Sequence, residues 1–542
     1  MTSETLFPDA LVQFAIGGLV LLPLLAATLC VLLPHTPRRI LGAFTALAVL
    51  VLSLPVIWQV SAGDVVQSAL GGYDAPLGIR LRADGLSAAF LALTSVVGAT
   101  TTLYAAAPPH STGTWLLSGT GRQVTASTGA VATGRGPQWE PSHAGFWPLW
   151  LGCWAGLNAV FLSGDLFNTY VGLELVGLTA VALVALGGRP SWAAALRYLF
   201  IAVAGSLLFL VGTGLIVAMT GTLDIEQASS TASDAGPAGV LALTLISVGL
   251  ALKLALVPMH RWLIPAHAGS PSAVSPLLSA LVIKAALFVL LRCWLWLFDP
   301  DSTVAGLAWG LAGLGVLALV FGSIMALRQT HLKRLIAYST VAQAGYWFLM
   351  LPLIVDPAAG NLEDQPGTEL APDDVVSGAL AATVALALGH GLAKSALFLA
   401  AGYLKDVYGT DEIAALRGVG QRHPMLVMSM GLAAVGLVGL PISLSFTGKW
   451  QLATSAVAAG HYWILIVLVV ATLLSAAYML RVLAPLLIAS EDDASEVPGP
   501  QVALSTYSRL APFAPLLLGT LTIATGLLGV WFDELLEVGA PW

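Results

Sequence analysis

Charge is scarce in this chain. Only 9% of its 542 residues are Asp, Glu, Lys or Arg, 57% are hydrophobic, and the mean hydropathy is +0.88. A water-soluble protein cannot bury that much apolar surface, so the composition indicates a polytopic membrane protein. Cysteine is nearly absent as well. Cys30, Cys153 and Cys293 stand alone inside apolar segments without CxxC spacing, which leaves no case for an iron–sulfur cluster, a zinc site or a disulfide framework. The GxGxxG and GxxxxGK[ST] fingerprints are missing, so nothing reads as a nucleotide or other cofactor site. The formal charge of -7 comes with no basic cluster, which argues against a nucleic-acid partner. The opening MTSETLFPDA is acidic where a signal peptide needs a basic n-region, so the first helix is expected to be retained.

Long apolar runs are abundant. Runs of roughly 20 residues give about fourteen spans. They fall near 11–34, 40–60, 86–106, 146–163, 166–187, 195–219, 239–259, 273–297, 303–327, 334–354, 375–403, 425–456, 462–488 and 511–532. The runs are continuous rather than alternating, so the fold class is all-α, not a barrel. Loop charges alternate along the chain. Arg38 and Arg39, Arg122 and Arg135, Arg189, Arg261, Arg328 with Lys333 and Arg334, Lys405 with Arg417 and Arg422, and Arg481 with Arg509 lie on one set of connections. Asp64, Asp224, Glu226, Asp234, Asp299, Asp301 and the run from Asp356 to Asp374 lie on the other, with Arg80 and Arg82 as exceptions. The positive-inside rule then places the Arg-bearing loops in the cytoplasm and both termini outside. Residues 107–145, rich in Gly, Ser, Thr and Pro, read as a long cytoplasmic loop, either a tolerated insertion or a docking loop. The expected division is 1–106 for the N-terminal helices, 107–145 for this loop, 146–300 and 301–490 for two repeats, and 491–542 for the C-terminal loop and last helix.

Five ionisable residues interrupt the apolar runs: Glu174, Lys253, Lys284, Lys394 and Lys449. Each costs ~2.5–3.5 kcal/mol at a helix centre on insertion scales, so they call for a functional explanation. Lys253 precedes Pro258 by five residues, and Pro441 precedes Lys449 by two turns. Proline removes a backbone donor and frees a carbonyl, and a broken helix at membrane depth is tolerated where it lines a hydrated cavity or faces protein. Two proline-broken segments, one in each half and each with a lysine, mark an internally duplicated transporter. His390 and Lys394, four apart, share a helix face and form the parts of a proton relay. Ser339, Gln343 and Tyr346 make a polar stripe that either holds water or bonds helices together. His260 and His267 lack accompanying carboxylates or cysteines, so no metal site is expected. Lys333 and Arg334 read as topology charges.

At these residues the chain resembles the antiporter-like family shared by Mrp-type multisubunit Na+/H+ antiporters and the proton-pumping membrane arm of respiratory complex I. The matching stretches are LSGDLFNTYVGLELVGL, LKLALVPMHRWLIPAHAGSPSAVSPLLSALVIKAALFVLLR, LKRLIAYSTVAQAGY, GHGLAKSALFLAAGYL and LPISLSFTGKW, in family order between residues 162 and 450. LGGYDAPLGIRLRADGLSAAF is similar to the D-type branch of the Mrp subunits. The resemblance implies fourteen helices with two inverted five-helix repeats, helices four to eight and nine to thirteen. It also implies a Glu174–Lys253 pair, then Lys284, His390 and Lys394 along a hydrated midplane, with Lys449 as the terminal lysine. Pro276, Ile442 and Ser445 depart from the family pattern.

The expected function is proton conduction within a multisubunit monovalent cation (Na+)/proton antiporter, through a relay of Glu174, Lys253, Lys284, His390, Lys394 and Lys449. The implied partners are other integral-membrane subunits, protons, Na+ and the lipid bilayer, with no cofactor or metal. The expected location is a bacterial or archaeal cell membrane. The alternative is an antiporter-like subunit of complex I or a membrane-bound hydrogenase, and a third reading is a module for inorganic-carbon uptake.

Overall fold

The computed structural model describes residues 6–73, 78–107, 143–232, 236–297, 302–357, 371–488 and 511–541. Most of the loop expected at 107–145 lies outside them. The chain is an almost wholly helical, multi-pass membrane protein. Two long apolar helices, α1 (Asp9–Leu32) and α2 (His35–Ser61), come first. Each carries an interior proline, Pro23 and Pro55, which neighbouring helices make tolerable in a membrane.

A short hairpin follows, which the apolar pattern did not anticipate. Strand β1 (Val66–Leu70) pairs antiparallel with β2 (Ile79–Ala83) in the register Val66↔Ala83 to Leu70↔Ile79. Arg80 donates to Asp224 at 2.8 Å and to Glu226 at 2.7 Å, and Arg82 contacts Glu226 and Asp84. The two arginines that broke the alternation are therefore paired with acids of their own face.

Asp84 caps α3 (Gly85–Ala106) by accepting the Ser87 N–H at 3.1 Å. α3 is buried on nearly every side. Around it run α4 (Phe146–Leu162), α5 (Leu166–Ala185), α6 (Arg189–Thr220), the short α7 (Ile225–Ala232) and α8 (Gly236–Lys253). α6 and α8 pack closely, because a Cβ on Gly205 would lie 2.6 Å from the Gly249 carbonyl. The same missing side chain leaves room for the Lys253 stem, 3.3 Å away.

The first break lies where Pro258 suggested it. α8 ends at Lys253, Ala255 takes φ 55, and a 3-10 turn at Met259–Trp262 leads into α9 (Leu263–Gly269). The next span, Val274–Leu297, comprises α10 (Val274–Leu277), a π turn at Leu278–Val282, α11 (Ile283–Arg292) and a second π turn at Cys293–Leu297. The second half continues with α12 (Ala305–Leu327), α13 (Leu332–Ala344), α14 (Met350–Val355) and α15 (Pro372–Tyr408). With 37 residues, α15 is about 55 Å long, well beyond the ~30 Å hydrocarbon core. Then come α16 (Pro424–Val438), the second break, α17 (Leu444–Ala458), α18 (Trp463–Leu487), α19 (Phe513–Ala524) and α20 (Gly529–Glu537). At the second break Gly439 and Ile442 take φ 74 and 73, and Ser443 caps α17. A side chain at 439 would press on Lys449, whose Nζ lies 3.2 Å from a built Cβ.

Among the described residues, 11 helices are individually long and apolar enough to cross a membrane, or 12 with the bent C-terminal pair. α4 and α16 are shorter apolar helices that fall on two further segments of the fourteen read from the sequence.

Candidate functional site

The buried polar residues form a row along the middle of the molecule. Glu174 projects from α5 and stays partly exposed, with Lys253 Nζ 4.0 Å from its Oε1. Lys253 lines a small cavity of about 20 Å³, room for about one water molecule. Its lining includes Gly177, Tyr198, Ala202, Val282 and Ala286. The last two are the residues two before and two after Lys284, so the cavity lies between Lys253 and the Lys284 helix.

Lys284 is fully buried in α11 beside the first π turn, a helix irregularity common at functional sites. Its Nζ donates to the Ser279 carbonyl at 3.0 Å, shares a hydrogen bond with His390 Nδ1, and lies 4.9 Å from the Trp347 ring centre. Trp347 also meets His390 edge-on at 5.5 Å. The residues expected to serve separate halves are thus in direct contact at Lys284–His390.

One turn along α15, Lys394 is also fully buried. It donates to the Ile336 carbonyl at 2.8 Å and to Ser339 Oγ. Lys449 donates to the Val438 carbonyl at 2.7 Å and to Thr472 Oγ1 at 2.8 Å, over the Tyr346 ring at 5.1 Å. Between these lysines, Gln343 Nε2 donates to the Leu437 carbonyl, Ser475 Oγ and Tyr478 OH at 3.3, 3.2 and 3.2 Å. The polar stripe therefore plays two parts: Gln343 bonds helices together, while Ser339 and Tyr346 touch lysines.

One expectation is corrected. Lys333 is no surface topology charge: it is 1% exposed and donates to the Ser270 carbonyl at 3.0 Å, whereas Arg334 is exposed. Its sequence signal, a Lys–Arg pair after a loop, is the same for both residues, and only the packing of α9 against α13 separates them. His267, in α9, is a second buried residue beside the first break. It is 1% exposed, and its ring stacks on Phe398 at 4.6 Å.

A further ion pair has no clear sequence signal. Arg292 donates to both Asp84 oxygens at 2.6 Å and to Ser87 Oγ at 3.0 Å, and its guanidinium lies over Trp296 at 4.5 Å. Burial pushes the Asp84 carboxyl up, but Arg292 outweighs it and holds the group below the ordinary carboxylate range.

Among the described residues no group of three or more His, Cys, Asp or Glu side chains is arranged to hold a metal. The row consists of lysines, one histidine and one carboxylate, held by carbonyls, hydroxyls and aromatic faces. Groups of these types can take up and release protons.

Fold and row together define a multi-pass membrane protein with an interior track of ionisable groups. The family described as NADH:quinone oxidoreductase/Mrp antiporter, TM, matches residues 163–358 and 375–475. The chain belongs to that family. It is 32% identical over 473 residues to the NADH-quinone oxidoreductase N subunit of Desulforudis audaxviator, covering 86% of this chain and 85% of that one. It is 27% identical over 470 residues to the Na(+)/H(+) antiporter D subunit of Alkalihalophilus pseudofirmus, covering 85% of each. Its fold is similar to a chain of the Mrp complex from Dietzia sp., with TM-score 0.78, 24% identity and coverage of 97% and 96%.

Proposed function

We propose that this chain is the proton-conducting membrane subunit of a multisubunit monovalent cation/proton antiporter, working beside other integral-membrane subunits in a bacterial or archaeal cell membrane. The single observation that carries this reading is the Lys284–His390 contact, which links the Glu174–Lys253 end of the row to the Lys394–Lys449 end. A proton taken up at the Glu174–Lys253 pair would pass to Lys284, then to His390 and Lys394, and by the polar face of α13 to Lys449. Groups this close titrate as coupled sets, so the proton belongs to the row rather than to one residue. Residues 146–300 and 301–490 would be the two repeats that supply one half of the row each. The Arg-bearing loops would face the cytoplasm and both termini the outside, a reading supported by the alternation of loop charges, with Arg80 and Arg82 as its exceptions.

The test uses the whole complex in everted vesicles. Glu174→Gln and Lys253→Ala should each abolish collapse of a pre-formed ΔpH by Na+ while leaving membrane insertion intact. Wild-type antiport by both variants would sink the mechanism.

A second reading has its own support. The 32% identity is to a component of an NADH-quinone oxidoreductase, and a redox-driven pump would need the same proton row. Co-purification in mild detergent separates the two: small antiporter subunits favour the first, flavin- or quinone-bearing partners the second.

A further inference from the structure

Three side-chain donors converge on the Ile336 carbonyl of α13. Ser339 Oγ donates to it at 2.9 Å, Thr340 Oγ1 at 3.2 Å and Lys394 Nζ at 2.8 Å. A Ser or Thr hydroxyl that bonds back to the preceding turn is ordinary in a helix. The lysine is different, because it reaches across from α15. Thr340 also faces a second partner, with Ser279 Oγ 2.9 Å from its Oγ1. A hydroxyl has a single proton and two lone pairs. Thr340 gives its proton to Ile336, so in this pair Ser279 is the donor. Both hydroxyl residues are fully buried.

Ser279 is the second residue of the first π turn, Leu278–Val282, and its carbonyl accepts from Lys284 Nζ at 3.0 Å. The backbone acceptors of Lys284 and Lys394 are therefore joined by two hydroxyls. Further contacts close a ring. Lys284 shares a hydrogen bond with His390 Nδ1, and His390 stands one turn from Lys394 on α15. Between those two residues α15 lies tight against the π turn, since a Cβ on Gly391 would come 3.4 Å from the Ala280 carbonyl. The ring thus runs through the π turn, α11, α15 and α13.

Its links differ in kind. Lys284–His390 and Lys394–Ile336 each include a group that can gain or lose a proton. The Ser279–Thr340 link includes none, so it can stay the same while charge moves around the rest of the ring.

We propose that Ser279 and Thr340 are positioning residues, whose paired hydroxyls form a fixed strut between the acceptor carbonyls of Lys284 and Lys394. The strut keeps Lys284 within reach of His390 while Lys394 stays seated on Ile336. The inference rests on reading Lys284, His390 and Lys394 as proton carriers. Neither hydroxyl gives up its proton in transport; each acts through the lysine whose partner it places. Cutting the strut frees the π turn to shift against α13, and a misplacement of about 1 Å between reacting groups can cost as much as ~10²-fold in rate.

The test uses the assembled complex in vesicles, with Glu174→Gln measured in parallel. Ser279→Ala and Thr340→Val each remove a hydroxyl with little change in volume, and Thr340→Ser keeps it. Each deletion should slow Na+-driven collapse of ΔpH roughly tenfold. It should also displace the pH profile of transport, because the lysines would titrate among altered neighbours. The double variant should be no slower than the slower single one, since both changes break one link. Thr340→Ser should keep the parental rate and profile. Parental rates in either deletion, or a slower rate with the parental pH profile, overturn the strut. So do losses that multiply in the double variant, or a Thr340→Ser as slow as Thr340→Val. Should Ser279→Ala not assemble, the contrast between Thr340→Val and Thr340→Ser decides alone. If Glu174→Gln is inactive while the hydroxyl variants match the parent, only the strut has failed; if Glu174→Gln is normal, the row has failed and the strut with it.

Discussion

Lys284 and His390 share a hydrogen bond, Nζ to Nδ1, although 106 residues separate them in the chain. Either group can give the proton of this bond and the other accept it, which is what a relay between two bases requires. Without His390, Lys284 would keep only the Ser279 carbonyl and the Trp347 face as partners. We expect Lys284→Ala, His390→Ala and the double variant to lose transport to a similar extent, because members of one relay are not additive. Rates of Na+-driven ΔpH collapse in vesicles would reveal additive losses, which would mean separate routes.

The Asp84–Arg292 pair gives a pH prediction whose sign follows from its geometry. The folded Asp84 carboxyl is held below its ordinary range, burial working against Arg292. Its stabilisation is therefore fully present above the unfolded value, ~3.9, and is lost as pH falls through the lower folded value. Asp84→Asn should remove that part of the acid sensitivity and destabilise the chain by ~3–5 kcal/mol, since it strands a buried guanidinium. Thermal unfolding in detergent from neutral to acid pH measures both effects.

Lys333 and Arg334 are adjacent in sequence and differ in depth. Lys333→Ala should destabilise the protein by ~1–3 kcal/mol, because the Ser270 carbonyl loses its donor. Arg334→Ala should stay within about 0.5 kcal/mol of the parent. Equal effects in thermal shift measurements would refute the burial difference.

Gly205 should tolerate no side chain. A Cβ there would stand 2.6 Å from the Gly249 carbonyl and 3.3 Å from Lys253. Gly205→Ala should cost ~1–3 kcal/mol by forcing α6 from α8. It should also lower transport by moving Lys253, which vesicle assays on detergent-stable preparations can report.

The helical class and both breaks were legible in the sequence because composition and proline placement act locally. So were the six relay candidates, since an ionisable residue in an apolar run is conspicuous. The Asp84–Arg292 pair was not, because its partners lie 208 residues apart and each alone resembles a loop charge or a helix-end charge. The burial of Lys333 depends on where α9 ends, and no pattern near Lys333 encodes that. The hairpin was hidden because five-residue strands are too short to stand out between long apolar helices.

Three of the row's lysines have a backbone carbonyl as acceptor: Ser279 for Lys284, Ile336 for Lys394 and Val438 for Lys449. A peptide carbonyl takes up no proton at any physiological pH, so each lysine's acceptor is the same before and after a proton leaves. It brings no formal negative charge, and each of these carbonyls already accepts from a lysine. A sodium ion on this track would meet ammonium groups wherever a proton is resident, and like-charge repulsion would turn it back. The track thus keeps its neutral carbonyl partners in both protonation states and sets positive charge against a metal ion wherever a proton is resident.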